Sequence, residues 1–152
     1  MKDLKIKFLL IAILLFIIAL TQPAYYIDRA DHSGWSNSFM LFIFGWTGLF
    51  YGGAAIAWFA NPLIVLSWVF YFKRPKLSVI TGLLATIFSA SFLLFHTIIS
   101  SEAPTYSIIT ARKAGYWLWL MSITFFSIFT IITYYFEKNY LKDNNINSLD
   151  NI

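Results

Sequence analysis

Residues 39–72 form a stretch of thirty-four amino acids without one charged side chain, interrupted by Gly52, Gly53 and the Asn61-Pro62 step. As a single helix it would be about 51 Å long at ~1.5 Å per residue, against a bilayer hydrocarbon core of about 30 Å. The stretch belongs in lipid and must break. Two partitions compete. A span over 39–59, followed by a new helix capped by Asn61 with Pro62 at its first position, leaves eleven residues for the return, about 16 Å, too short to cross. It would also carry Lys73, Arg74 and Lys76 to the outer side, against the rule that basic residues stay inside. The other partition fits. A re-entrant or interfacial helix over about 38–50 ends at Gly52-Gly53, and a true second span runs over 54–72, about 28 Å.

The composition agrees: the chain is 59% apolar, 20% aromatic and only 12% charged, which is more apolar surface than one small core hides. The net charge of +4 does not point to nucleic acid, because the lysines and arginines sit in short clusters beside apolar runs. The expected partners are the lipid bilayer and a protein partner or further copies of the chain, with no nucleic acid. Cysteine is absent, which excludes disulfides, thiolate metal sites and a lipoprotein anchor. No motif calls for a cofactor.

Taken in order, Lys2, Lys5 and Lys7 precede an apolar run that ends at Thr21, Gln22 and Pro23. A signal peptide has this shape, but no good small-residue cleavage site follows, so an uncleaved first span over about 6–22 is expected. A polar loop over 25–37 holds Tyr25, Tyr26 and Trp35, rings of the kind that collect at headgroup depth. After the central stretch and its basic turn come a third span over 77–99, a second loop over 100–115 and a fourth span over 116–136. The tail, 137–152, has five asparagines and no apolar period, and reads as disordered or a frayed helix end. The fold class is thus an all-α membrane protein of four transmembrane helices, with the additional re-entrant or interfacial helix before the second span. Eight lysines and arginines fall on the side of the termini and the basic turn, against three in the two loops. Both termini are therefore expected in the cytoplasm; wording rich in Asn, Ile and Lys points to an AT-rich bacterial genome, and the expected location is the bacterial inner membrane.

Apart from Lys7 at the inner edge of the first, the spans contain no Asp, Glu, Lys or Arg, and ion-coupled transporters and proton pumps place such groups at membrane depth. Asn61 is the most polar side chain there, and Pro62 removes a backbone donor and frees the carbonyl of Trp58. Asn61, Pro62 and Trp58 are the candidate ligand site; the plainer reading is a kink whose amide satisfies a neighbouring helix. Gly45, Gly48 and Gly52, and Gly82 with Ala85 on the third span, are small residues that let helices approach closely, within one chain or between copies. Serines and threonines on the third and fourth spans can bond their own i−4 carbonyls, or line a pore at an oligomer axis. Asp28, Asp31, His32, His96, Glu102 and Arg112 form an outer polar cluster whose oxygen and imidazole groups suit hydrolytic or divalent-metal chemistry, but nothing fixes their spacing, so no metal site is assigned.

Gly45-Trp46, the segment Trp58-Phe59-Ala60-Asn61-Pro62-Leu63 and the run Gly115-Tyr116-Trp117-Leu118-Trp119 together resemble small bacterial four-helix membrane proteins of uncharacterised function. In that family a Trp-x-Ala-Asn-Pro segment lies in the second apolar region and an aromatic Gly-Tyr-x-Leu-Trp opens the last span. The resemblance implies four helices and an important Asn61-Pro62 kink, and no activity. The expected function is a non-enzymatic interaction, accessory or immunity/defence component of the membrane. An oligomeric pore lined by Asn61 and the hydroxyl faces is the alternative, and a membrane-embedded enzyme using the outer Asp/His/Glu cluster is the second.

Overall fold

The structure, a computed structural model, describes residues 2–28, 36–99 and 106–149. Its elements are α1 (Lys2–Leu20), β1 (Tyr25–Ile27), α2 (Ser38–Phe44), α3 (Ala60–Phe70), α4 (Pro75–Ser91), β2 (Thr97–Ile99), β3 (Tyr106–Arg112) and α5 (Ala114–Leu149), with 3-10 segments over Gly45–Phe50, Gly53–Phe59 and Phe92–Leu94. The protein is mostly helical. Three continuous helical stretches, Gly53–Phe70, Pro75–Leu94 and Ala114–Tyr140, are long and apolar enough to cross a membrane.

The central stretch breaks where its glycines are. Gly52 and Gly53 adopt φ of 72° and 63°, a left-handed backbone that a side chain resists, so the chain reverses there into a helical hairpin. One arm is α2 with its 3-10 extension, and the other is the Gly53–Phe59 3-10 segment running into α3. Seven residues at ~2.0 Å and eleven at ~1.5 Å make that second arm about 30 Å long. Pro62 falls in the first turn of α3, where a missing N–H matters least. Just before it, the Ala60 N–H lies against the carbonyls of Ala57 and Trp58.

Below the hairpin, α1, α3, α4 and α5 pack as a bundle around Ala12, Phe16, Ala60, Ile64, Tyr71, Ala85, Ile123 and Phe126. Helices α1 and α5 run antiparallel: Phe8 stacks on Phe129, Lys5 pairs with Glu137, and at the other end Gly115 N–H donates to the Pro23 carbonyl. Small residues bring α3, α4 and α5 together, and hydroxyls then bond across the seams. Ser67 and Ser78 exchange hydrogen bonds to each other's carbonyls at 2.7 Å, and Ser127 Oγ donates to the Gly82 carbonyl at 2.8 Å.

Two boundaries differ from the sequence reading. The third span, expected to reach residue 99, ends as a helix at Leu94. Phe95 is extended (ψ 134°), and Thr97, Ile98 and Ile99 pair antiparallel with Ile108, Ser107 and Tyr106. The β-branched Thr97-Ile98-Ile99 is apolar enough to read as a span but prefers a pleated backbone. With β1 on the other side of β3, the order is β1-β3-β2, a small antiparallel sheet that an all-α expectation leaves out. The second difference is α5, which continues through the expected frayed tail to Leu149. No glycine or proline interrupts residues 116–152, so nothing there stops a helix already nucleated in the bundle.

Candidate functional site: a cavity above Asn61

The sheet and the hairpin stand over the bundle and enclose a cavity of about 930 Å³, near the upper end of the roughly 300–1,000 Å³ usual for small-molecule sites. The hairpin arms form one side, from Leu41, Phe42 and Gly45 through Gly48 to Ala54 and Ala57. The sheet contributes Tyr25, Ile98 and Tyr106, and the bundle supplies Ala19, Asn61, Phe92, Tyr116 and Trp119. None of the described residues that line it carries a charge. Burial grades along the cavity. Ala19, Tyr116 and Asn61 are buried, whereas Phe50 is 81% and Tyr106 65% exposed, so the floor lies at the bundle and the mouth at the hairpin tip and sheet edge.

Asn61 sits on that floor at 7% exposure. Its Oδ1 accepts a hydrogen bond from Trp119 Nε1 at 2.9 Å, and its Nδ2 donates to no partner among the described residues. Three other polar groups of the lining are used inside the protein. Trp58 Nε1 donates to the Phe42 carbonyl at 3.0 Å, satisfying one of the orphan carbonyls at the end of α2. Ser38 Oγ donates to the Gln22 carbonyl and Tyr116 Oη to the Ser89 carbonyl. Tyr25 is buried against the ring of Phe92, and burial pushes its phenol up to about 12.

The glycines have separate duties. A Cβ on Gly45 would lie 2.6 Å from Trp58 Cδ1, and one on Gly48 2.8 Å from the Ala55 Cβ, so both hold the hairpin arms together within one chain. A Cβ on Gly52 would meet nothing within 4 Å, and this glycine serves the turn through its positive φ. Gly82 and the buried Ala85 face the bundle seams, where a Gly82 Cβ would meet Ser127 and Ser67 hydroxyls at 3.0 and 3.1 Å.

The described members of the outer polar set, Asp28, His96 and Arg112, do not converge. Asp28 Oδ1 accepts from the Ile108 N–H at one side of β3, whereas the His96 carbonyl accepts from the Ile109 N–H at the other. Their backbones are thus about two strand spacings apart, roughly 10 Å. Arg112 is drawn away altogether: its Nη2 donates to the carbonyls of Phe92, Leu93 and Phe95 at 3.3, 3.1 and 2.9 Å. There the cation caps the C-terminal end of α4, the favourable end for positive charge. Asp31, His32 and Glu102 lie outside the described residues. Among the described residues, no group of three or more His, Asp or Glu is placed to hold a metal ion.

Trp119 is the site residue that sequence reasoning passed over, since the aromatic run at 116–119 reads as an interfacial belt. Trp117, 46% exposed, fits that description. A buried indole, however, usually finds an acceptor, and an asparagine at bilayer depth needs a partner; those two demands together pick out the pair. The chain matches no protein-family model, and neither a curated protein nor a solved structure is significantly similar to it. The geometry therefore carries the functional argument alone.

Proposed function

We propose that the protein is a four-span component of a bacterial inner membrane, both termini cytoplasmic, that works by non-catalytic interaction through the cavity above Asn61, as an accessory, assembly or immunity/defence subunit. The observation that carries this is the cavity itself: preformed, lined by uncharged residues among those described, and floored by a buried amide whose donor has no partner among them. Such a lining selects a molecule to hold and, among the described residues, offers no acid, base or nucleophile pair to transform it. Asp28 and His96, the described acid and imidazole of the outer set, stand on opposite sides of β3, which weighs against their acting as a pair.

The fourth span is α1. Its first residues include Lys2, Asp3, Lys5 and Lys7, and its uncharged run, 8–20, covers only about 20 Å. It nevertheless lies along α5 from Lys5 at Glu137 to Gln22 at Gly115, and so shares the depth of a helix long enough to cross. The lysine and arginine bias of eight against three supports the orientation. The hairpin arm Ser38–Phe50, apolar and with Phe39, Phe44, Trp46 and Phe50 exposed, suits the interfacial position expected of it.

A pore is less well supported. Ser67, Ser78, Ser89, Ser122, Ser127 and Thr130 are buried within the single chain and bond its own carbonyls, which leaves little of the hydroxyl faces for an oligomer axis. Native mass spectrometry of the nanodisc-extracted particle, paired with conductance in planar bilayers, tests the proposal. A silent monomer or a complex with a second protein supports it; a conducting homo-oligomer replaces it with the pore. Because the chain has no cysteine, single cysteines at Lys2, Lys76 and Asp28 report topology directly, with the first two protected from an impermeant outer reagent and the third labelled.

A further inference from the structure

We propose that the cavity binds an uncharged, carbonyl-bearing amphiphile, its carbonyl oxygen accepting from Asn61 Nδ2 and its apolar body held along the aromatic walls. The inference rests on the reading above that the cavity is the working site, and adds what it takes. Three observations carry it. First, Asn61 is 93% buried, since its exposure is 7%, and its acceptor is already occupied by Trp119 at 2.9 Å. What remains on the floor is a donor, which recognises an acceptor on the ligand. Asn61 lines the cavity, so a ligand oxygen there takes up a donor that the described residues leave open.

Second, none of the described residues that line the cavity carries a charge of either sign. A carboxylate or phosphate placed beside Asn61 would lose its hydration and find no cation among them, which disfavours anionic heads. Arg112, a cation near the sheet, is committed to three carbonyls of the α4 end. The ligand's polar group is therefore neutral. Third, the walls are tall and apolar. The Gly53–Phe59 segment alone spans about 14 Å at ~2.0 Å per residue, and Leu41, Phe42, Phe92 and Ile98 face the same space. A compact polar molecule would leave this surface wet; one with a ring or chain of lipid character covers it.

A neutral carbonyl of this kind occurs on a glycerolipid ester and on a lipid-soluble quinone, and the test separates them. The full chain is purified in an alkyl maltoside, a surfactant with no carbonyl, and titrated with decylquinone, with a monoacylglycerol, and with palmitate as the anionic control. Quinone binding is read by quenching of tryptophan fluorescence, and monoacylglycerol binding by thermal stabilisation and by displacement of the quinone. Saturable binding of both neutral probes establishes the shared chemistry, and binding of one alone names the source. Palmitate should bind at least tenfold more weakly than the better neutral probe. Asn61→Leu should weaken that probe about tenfold, the scale of one lost hydrogen bond. Leu41→Trp, which fills the cavity and leaves Asn61 in place, should abolish saturation and guards against misreading an unfolded Asn61 variant. The proposal is overturned if neither neutral probe saturates, if palmitate binds as tightly, or if a folded Asn61→Leu protein binds unchanged. A silent monomer that binds no probe would keep the interaction function and lose this ligand class; a conducting ring would lose the function first.

Discussion

Replacing Glu137 with methionine strands the ammonium of Lys5, and the structure sets how much that should cost. The two side chains form an ion pair between the start of α1 and the far part of α5, with Lys5 only 6% exposed and Glu137 29%. Lys5 also lies over the ring of Tyr71, 5.1 Å from its centroid, an attraction of about 0.5–2 kcal/mol. Breaking a fully buried pair by removing one partner costs roughly 3–5 kcal/mol, because the survivor stays buried and unpaired. The two ends are not equivalent. Glu137, once alone, can recover water through its exposed third, so Lys5→Met should cost only about 1–2 kcal/mol. Lys5 cannot turn outward as easily, and Glu137→Met should cost about 2–4 kcal/mol, moderated by the Tyr71 ring. Removing both leaves an apolar contact and no orphan charge. The double variant should then be no worse than the Lys5 variant, giving a coupling energy of at least about 2 kcal/mol. Unfolding by sodium dodecyl sulfate in mixed micelles, followed by tryptophan fluorescence, measures all four corners of the cycle. Additivity within about 0.3 kcal/mol, or a larger loss for Lys5→Met than for Glu137→Met, would refute the reasoning.

Gly115→Ala should destabilise by about 2–3 kcal/mol, because its Cβ meets Ser38 Oγ and two backbone oxygens, Gln22 O at 2.6 Å and Pro23 O at 2.8 Å. Adding Ser38→Gly should not restore it, since the backbone contacts remain; thermal unfolding of the pair of variants checks this. Arg112→Ala removes the donor shared by three carbonyls and should cost about 1–2 kcal/mol. Hydrogen exchange should speed up across residues 92–99 and leave the α1–α5 contact unchanged. Tyr25 gives a pH test: its folded pKa of about 12 against an ordinary 10.0 means the fold favours the neutral phenol. Its contribution is complete below pH about 10 and falls as pH rises toward 12, by up to about 3 kcal/mol at ~1.4 kcal/mol per unit. Tyr25→Phe should flatten that slope, and phenolate absorbance should show one fewer late-ionising tyrosine.

The break in the central stretch was legible because length and chemistry both demanded it. No thirty-four-residue uncharged helix fits the bilayer, and Gly52-Gly53 offered the one place where a reversal is cheap. The basic turn before α4 was legible for a similar reason, with Pro75 at the first helical position. The sheet was not. Thr97-Ile98-Ile99 is as apolar as a helix end, and its partner strand is read only through pairing across a loop, which hydropathy does not see. The site was half legible. Asn61 announced itself as a polar group where polarity is expensive, but its partner Trp119 lies fifty-eight residues away, and no local pattern connects them. The close approaches at Gly45, Gly48 and Gly82 could be expected from residue size, whereas only the packing shows that each is spent inside one chain.

The 3-10 winding of Gly53–Phe59 makes the cavity wall a segment of adjustable length. Each of its seven residues rises about 0.5 Å more than it would in an α-helix. Rewinding the whole segment as α would shorten it by about 3.5 Å and draw the Gly52 tip toward Asn61. The rim would descend by about one carbon–carbon contact distance while the floor, tied by Asn61 to Trp119, stayed where it is. The height of the chamber is therefore written in the pitch of one short helix, and a change of pitch is a change of capacity.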